Sequence, residues 1–263
     1  MLAFLLGLLL KIAMTAGIVV AASVVVERSG PFIGALIAAL PTAGGAAMII
    51  LALEHPPQFI AAGAVGSIVS NAIGALFALT YATLAQKRSL PVSLGGALTV
   101  WLLLALSSRF VPWTVETALL SNVIVFPLAI AAGSRFRGNG GAKGRVHLTG
   151  ADLAWRAGIV TFVVIVVTTA SYSIGSFASG LFAFFPIAMS SFFVILHTRV
   201  GGPAAASTAA HIQAPLIGLT LGLLAVHYMA VPFGVWWSYL VGLSLGVAWN
   251  GALWLLRNRR LAI

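Results

Sequence analysis

The stretch GPFIGALIAALPTAGGAAMIILAL, residues 30–53, holds 24 residues without one charge and carries a proline, Pro41, near its middle. A run of this length is long enough to cross the ~30 Å hydrocarbon layer of a bilayer as a helix, which takes about 20 residues. Runs like it recur along the chain. We read nine spans: 2–26, 30–53, 59–84, 91–106, 113–132, 153–172, 175–198, 203–227 and 232–256. Continuous apolar runs mark helices, whereas a membrane barrel would show alternating segments of about ten residues. The fold class expected is an all-α polytopic membrane protein.

Composition agrees. Of 263 residues 61% are hydrophobic and 7% charged, with mean hydropathy +1.11. A soluble domain has about 25% charged residues to face water. Here 14 Lys and Arg with 4 Asp and Glu cannot coat a globule of this size. The lipid bilayer is therefore the first partner implied. The formal net charge of +10 does not indicate nucleic acid, because the basic residues sit in short gaps between apolar runs. Met1–Leu10 is apolar with Lys11 after it, the reverse of a signal peptide's order, so no cleavage is expected.

The basic residues orient the chain. Twelve of the 14 fall in alternate gaps: Arg28, then Lys87 and Arg88, then the Gly133–Gly150 connection through Arg156, then Arg199, then the C-terminal Arg257, Arg259 and Arg260. The positive-inside rule places those gaps in the cytoplasm. The localisation expected is a cell (inner) membrane, with the N-terminus outside and the C-terminus cytoplasmic.

Laying Pro41 over Pro186, an offset of 145 residues, brings eight identities into 24 positions, among them Gly30 with Gly175, Phe32 with Phe177 and Leu51 with Leu196. Lys11 then falls on Arg156. The offset predicts a 4+1+4 organisation: residues 1–110 as a first four-helix repeat, 111–152 as a linking helix plus basic cytoplasmic loop, and 153–263 as a second repeat. An odd number of spans between corresponding helices turns the second copy upside down, a frequent design of secondary transporters.

Pro41 and Pro186 each sit near the middle of a span, where proline removes a backbone hydrogen bond. Small residues follow: Thr42, Ala43, Gly44 and Gly45 in one half, Ser190 and Ser191 in the other. Two readings are open. Half-helices starting at these breaks aim unpaired N–H groups into the membrane centre and attract an anion, or the prolines are kinks that improve packing. Polar residues at bilayer depth add candidates: Asn71 in the third span, and His211 and Gln213 in the eighth. His211 and Glu116 are the candidates for proton coupling. Glu116 also reads as a helix-start carboxylate. Lys11 and Arg156 read as snorkelling residues.

Missing motifs narrow the function. There is no cysteine, no HExxH, no GxxxxGK[ST] and no GxSxG, and the single Asp is Asp152. No cofactor, metal or catalytic residue is expected. The function expected is secondary transport of a small anionic solute by alternating access around two broken helices. The alternative is a non-transporting membrane subunit of a larger complex. A homo-oligomer is compatible with either.

Overall fold

The computed structural model describes residues 11–18, 42–137 and 149–261, together with positions 7, 9, 20 and 21. Pro41 and most of the first two expected spans lie outside the described residues. Every regular element among those described is helical. Residues 11–18 are helical, followed by α1 (Thr42–Glu54), α2 (Pro57–Leu84), α3 (Leu90–Ser108), α4 (Val115–Gly133) with a short 3-10 turn (Ser134–Phe136), α5 (Gly150–Ala183), α6 (Ile187–Val200), α7 (Gly202–Met229) and α8 (Val235–Leu261).

Six helical stretches are long and apolar enough to cross a membrane, among them the 51-residue stretch Gly150–Val200. The protein is a multi-pass helical membrane protein. Its outer helices present large apolar side chains outward: Leu102, Leu103 and Leu106 on α3, Leu120, Val123 and Leu128 on α4, Trp236, Trp237, Leu240 and Leu243 on α8. Exposed apolar surface on this scale is stable only against lipid.

The core is α2, buried from Ile60 to Ala82 apart from Ala62, Leu76, Leu79 and Thr80. It packs antiparallel to α7. His227 Nδ1 meets the Ala61 carbonyl at 2.8 Å, Asn71 Nδ2 donates to the Leu216 carbonyl at 2.8 Å, and Gln213 Nε2 donates to the Ala75 carbonyl at 3.0 Å. As one number rises the other falls, so the two helices lie side by side over their full length.

On another face α2 runs parallel to residues 176–197. The Ser67 hydroxyl donates to the Gly180 carbonyl at 3.0 Å, the Ser70 hydroxyl to the Phe184 carbonyl at 3.4 Å, and Tyr81 stacks on Phe193 and bonds His197 Nδ1 at 2.9 Å. The chain therefore keeps one direction through the non-helical residues between α5 and α6. Upstream, Gly175 takes φ 79°, a left-handed value natural to glycine, and ends the regular helix that begins at Gly150.

Candidate functional site

Pro186 lacks the N–H that would continue the helix, and the break that the proline predicts is present. Phe184 (φ −100°, ψ 23°) and Pro186 (φ −74°, ψ 38°) leave helical geometry, and α6 starts at Ile187. A break in a membrane frees backbone acceptors that need partners. The Ser70 hydroxyl of α2 supplies one to Phe184.

The described part of α1 opens at Thr42, next in sequence to Pro41; Pro41 and the Thr42 side chain lie outside the described residues. Two residues on, Gly44 lies against the second break: a Cβ there would sit 2.5 Å from the Phe184 ring. The segment that follows Pro41 in sequence thus meets the break at Pro186, and glycine at 44 is what lets the ring approach.

Beside this contact lies a cavity of about 360 Å³. Gly45, Met48 and Ile49 of α1 form one wall, Phe184 the floor, and α7 and α8 the far side. Those two helices meet through glycine: a Cβ on Gly222 would lie 2.6 Å from the Gly242 carbonyl oxygen. Gly218, Gly222, Gly242 and Gly246 line the cavity where α7 and α8 close on each other. The lining is apolar but for Tyr239, whose hydroxyl donates to the Met48 carbonyl at 2.8 Å, and Asn250, whose Oδ1 is buried without a partner.

The polar candidates separate into groups. Asn71 belongs to a buried network between α2, α7 and α4. It donates to Leu216 and, at 2.8 Å, to Thr220 Oγ1, and Thr220 donates to Asn122 Oδ1 at 2.8 Å. Asn122 Nδ2 donates to the Ile68 and Ala118 carbonyls, each at 2.9 Å. Every bond joins protein to protein, so Asn71 fastens α7 to α2 here. Gln213, fully buried, bonds Ala75 through Nε2 and keeps Oε1 unpartnered. His211 Nδ1 donates to the Ser207 carbonyl of its own helix at 2.7 Å. Glu116 is exposed in the first turn of α4, where Thr114 and Thr117 form a capping box.

Ser190 and Ser191 are buried in the N-terminal part of α6. The Ser191 hydroxyl donates to the Ala188 carbonyl at 2.9 Å and accepts from Arg156 Nε at 3.3 Å, while Ser190 Oγ has no partner. Arg156 does not snorkel: it is 6% exposed, with Phe192 5.6 Å from its guanidinium carbon. Its burial was hidden in the sequence because Trp155 beside it marks an interface, and Trp155 does face outward. Lys11 also turns inward. Its ammonium pairs with Glu54 Oε1 at 2.6 Å at the end of α1, next to His55, which bonds Ser171 at 2.7 Å. Among the described residues no three His, Cys, Asp or Glu gather as metal ligands.

The polar network makes a direct prediction. Thr220→Val keeps the shape but leaves the Asn71 amide only its Leu216 bond and orphans the Asn122 carbonyl oxygen. Polar contacts between membrane helices average ~0.6 kcal/mol, and orphaned buried groups cost ~1–3 kcal/mol. We expect a loss of about 1–2 kcal/mol in a denaturing-detergent unfolding titration. A shift indistinguishable from zero would show that the network tightens nothing.

Compared with known proteins, the chain matches no protein-family model, no curated protein and no solved structure.

Proposed function

We propose that the protein is a secondary transporter of a small anionic solute. It has nine spans in a 4+1+4 inverted repeat and works by alternating access around the two breaks. The observation that carries this reading is the contact of Gly44 with Phe184 beside the apolar cavity.

The repeat is supported by helix limits. α2 spans Pro57–Leu84 and α7 Gly202–Met229; α3 starts at Leu90 and α8 at Val235. Each correspondence is 145 residues, the offset of the two prolines. Asn71 and the Leu216 carbonyl, hydrogen-bonded, are also 145 apart. Contact between equivalent positions of antiparallel helices is what a two-fold axis lying in the membrane plane requires. On this reading α4 is the linking span, and it packs on both central helices through Asn122 and Thr220.

The orientation with C-terminus inside is supported by which residues meet. Arg199 pairs with Asp152, and the Ser207 hydroxyl donates to the Arg137 carbonyl at 3.3 Å; Arg137, Asp152 and Arg199 lie in gaps assigned to the cytoplasm, and Ser207 lies in the first turns of the span that leaves one. Gly150–Val200 would measure ~76 Å as one straight helix, over twice the bilayer core, so it holds two spans turning at Gly175.

An apolar cavity next to the positive start of a half-helix suits a solute with an anionic head and an apolar body. The test uses the absence of native cysteine. Met48→Cys and Gly45→Cys are probed in oriented vesicles with a membrane-impermeant thiol reagent. Modification from both sides is the expected result. Protection from both sides at both positions would sink the transporter reading and leave a packed membrane subunit.

A further inference from the structure

We propose that Arg156 is the anion-binding residue of this transporter. Its guanidinium, with the hydroxyls of Ser190 and Ser191, receives the carboxylate or other oxyanion head of the solute. The inference rests on the transport reading and on its 145-residue correspondence.

The first ground is an uncompensated charge. Arg156 is buried in the spanning part of α5, and among the described residues no carboxylate lies within ion-pair distance of it. Asp152, one turn away, is engaged by Arg199 and by Thr149. Nε of Arg156 is held by Ser191, and Nη1 has no partner. A buried cation without an ion-pair partner is expensive, and residues of this kind in spanning helices cluster on substrate and ion pathways.

The second ground is a comparison inside the chain. Lys11 stands where Arg156 stands, 145 residues earlier. Glu54 supplies a carboxylate oxygen 2.6 Å from the Lys11 ammonium. The position equivalent to Glu54 is Arg199, a second cation. In one half the protein provides its own counter-anion; in the other the corresponding place offers none.

The third ground is the surrounding chemistry. Ser190 is 4% exposed and its hydroxyl is unpartnered. Both serines sit in the N-terminal part of α6, a 14-residue helix whose start follows the Pro186 break. That end of a helix carries partial positive charge. The planar fork of arginine matches an oxyanion better than a lysine would.

The test reads the local potential without knowing the solute. Ser190→Cys is reacted with two thiosulfonate reagents of similar size, one bearing a sulfonate and one a trimethylammonium group. Rates are normalised to those with a free thiol. The sulfonate reagent should react about ten-fold faster, the size expected of one nearby, partly screened charge. In the Arg156→Gln background the ratio should fall to about one, and Arg156→Lys should keep most of it. The Ser190→Cys ratio needs no change at Arg156, so it stands even if Arg156→Gln fails to fold. A ratio of one or less, or a ratio untouched by Arg156→Gln, overturns the proposal. So does an unreactive Ser190→Cys while Met48→Cys reacts; in those cases the transporter reading survives. Silence at Ser190→Cys, Met48→Cys and Gly45→Cys from both sides removes both.

Discussion

Gly180→Ala, a single added methyl group, should lower the unfolding temperature more than the same change at any other described glycine, and Gly180→Leu should leave no monodisperse protein in mild detergent. A Cβ at 180 would overlap the Gly63 carbonyl oxygen, and one at the facing Gly66 would overlap the Phe177 carbonyl oxygen. These are backbone atoms on helices held by their own hydrogen bonds, so no side chain can swing aside. α2 must separate from residues 176–184, and the Ser67 and Ser70 bonds to Gly180 and Phe184 go with it. Overpacking costs typically ~1–3 kcal/mol where neighbours can adjust; with backbone on both sides we expect more than about 3 kcal/mol. Gly95→Ala is the matched control. It lies inside α3 with nothing within 4 Å of the added methyl. Alanine there should be neutral or stabilise by up to ~1 kcal/mol, the difference in helix propensity. Two identical chemical changes with opposite signs separate packing from propensity. Equal shifts at 180 and 95 would mean that α2 and the 176–184 segment are not in close contact.

The helical membrane architecture was legible because lipid imposes one strong rule: a run of about 20 apolar residues has to be a helix. The helix break at Pro186 was legible for a similar reason, since proline acts on the backbone locally. The use of each polar residue was not legible. Asn71, Gln213 and His211 all fall within apolar spans, yet one ties α2 to α7 through two bonds, one bonds a neighbouring carbonyl and one bonds its own helix. Depth follows from position in a span, but partner follows from helix rotation, and 3.6 residues per turn makes that sensitive to a single-residue error in register. Arg156 shows the same limit: beside an interfacial Trp it reads as a snorkelling residue, and only the approach of Phe192 and Ser191 from α6 covers it. The cavity was least legible, because it lies where α1, α7 and α8 come together and no local sequence pattern marks that meeting.

The Lys11–Glu54 pair should behave as a buried ion pair in a double-mutant cycle. Their side chains are 17% and 21% exposed, Glu54 Oε2 is buried without a partner, and the Lys11 ammonium also reaches Thr168 Oγ1 at 3.4 Å. Breaking a fully buried pair costs ~3–5 kcal/mol because one charge is stranded, while an exposed pair is worth under ~1 kcal/mol. Partial exposure places each single change between these limits, at about 1–3 kcal/mol. Lys11→Met should be the worse of the two, since it strands a carboxylate whose second oxygen is already unsatisfied; Glu54→Gln leaves the ammonium its Thr168 contact. The double variant should recover most of the loss, because removing both charges also removes both desolvation penalties. Additive losses in the double variant would show that the pair contributes no coupling. The pair also fastens the end of α1 away from Phe184, so loosening it frees the helix at that end. If α1 moves in transport, Glu54→Gln should raise the rate at which Met48→Cys is modified from the extracytoplasmic side and leave the cytoplasmic rate unchanged or lower. An equal rise from both sides would mean general loosening of the fold rather than release of one gate.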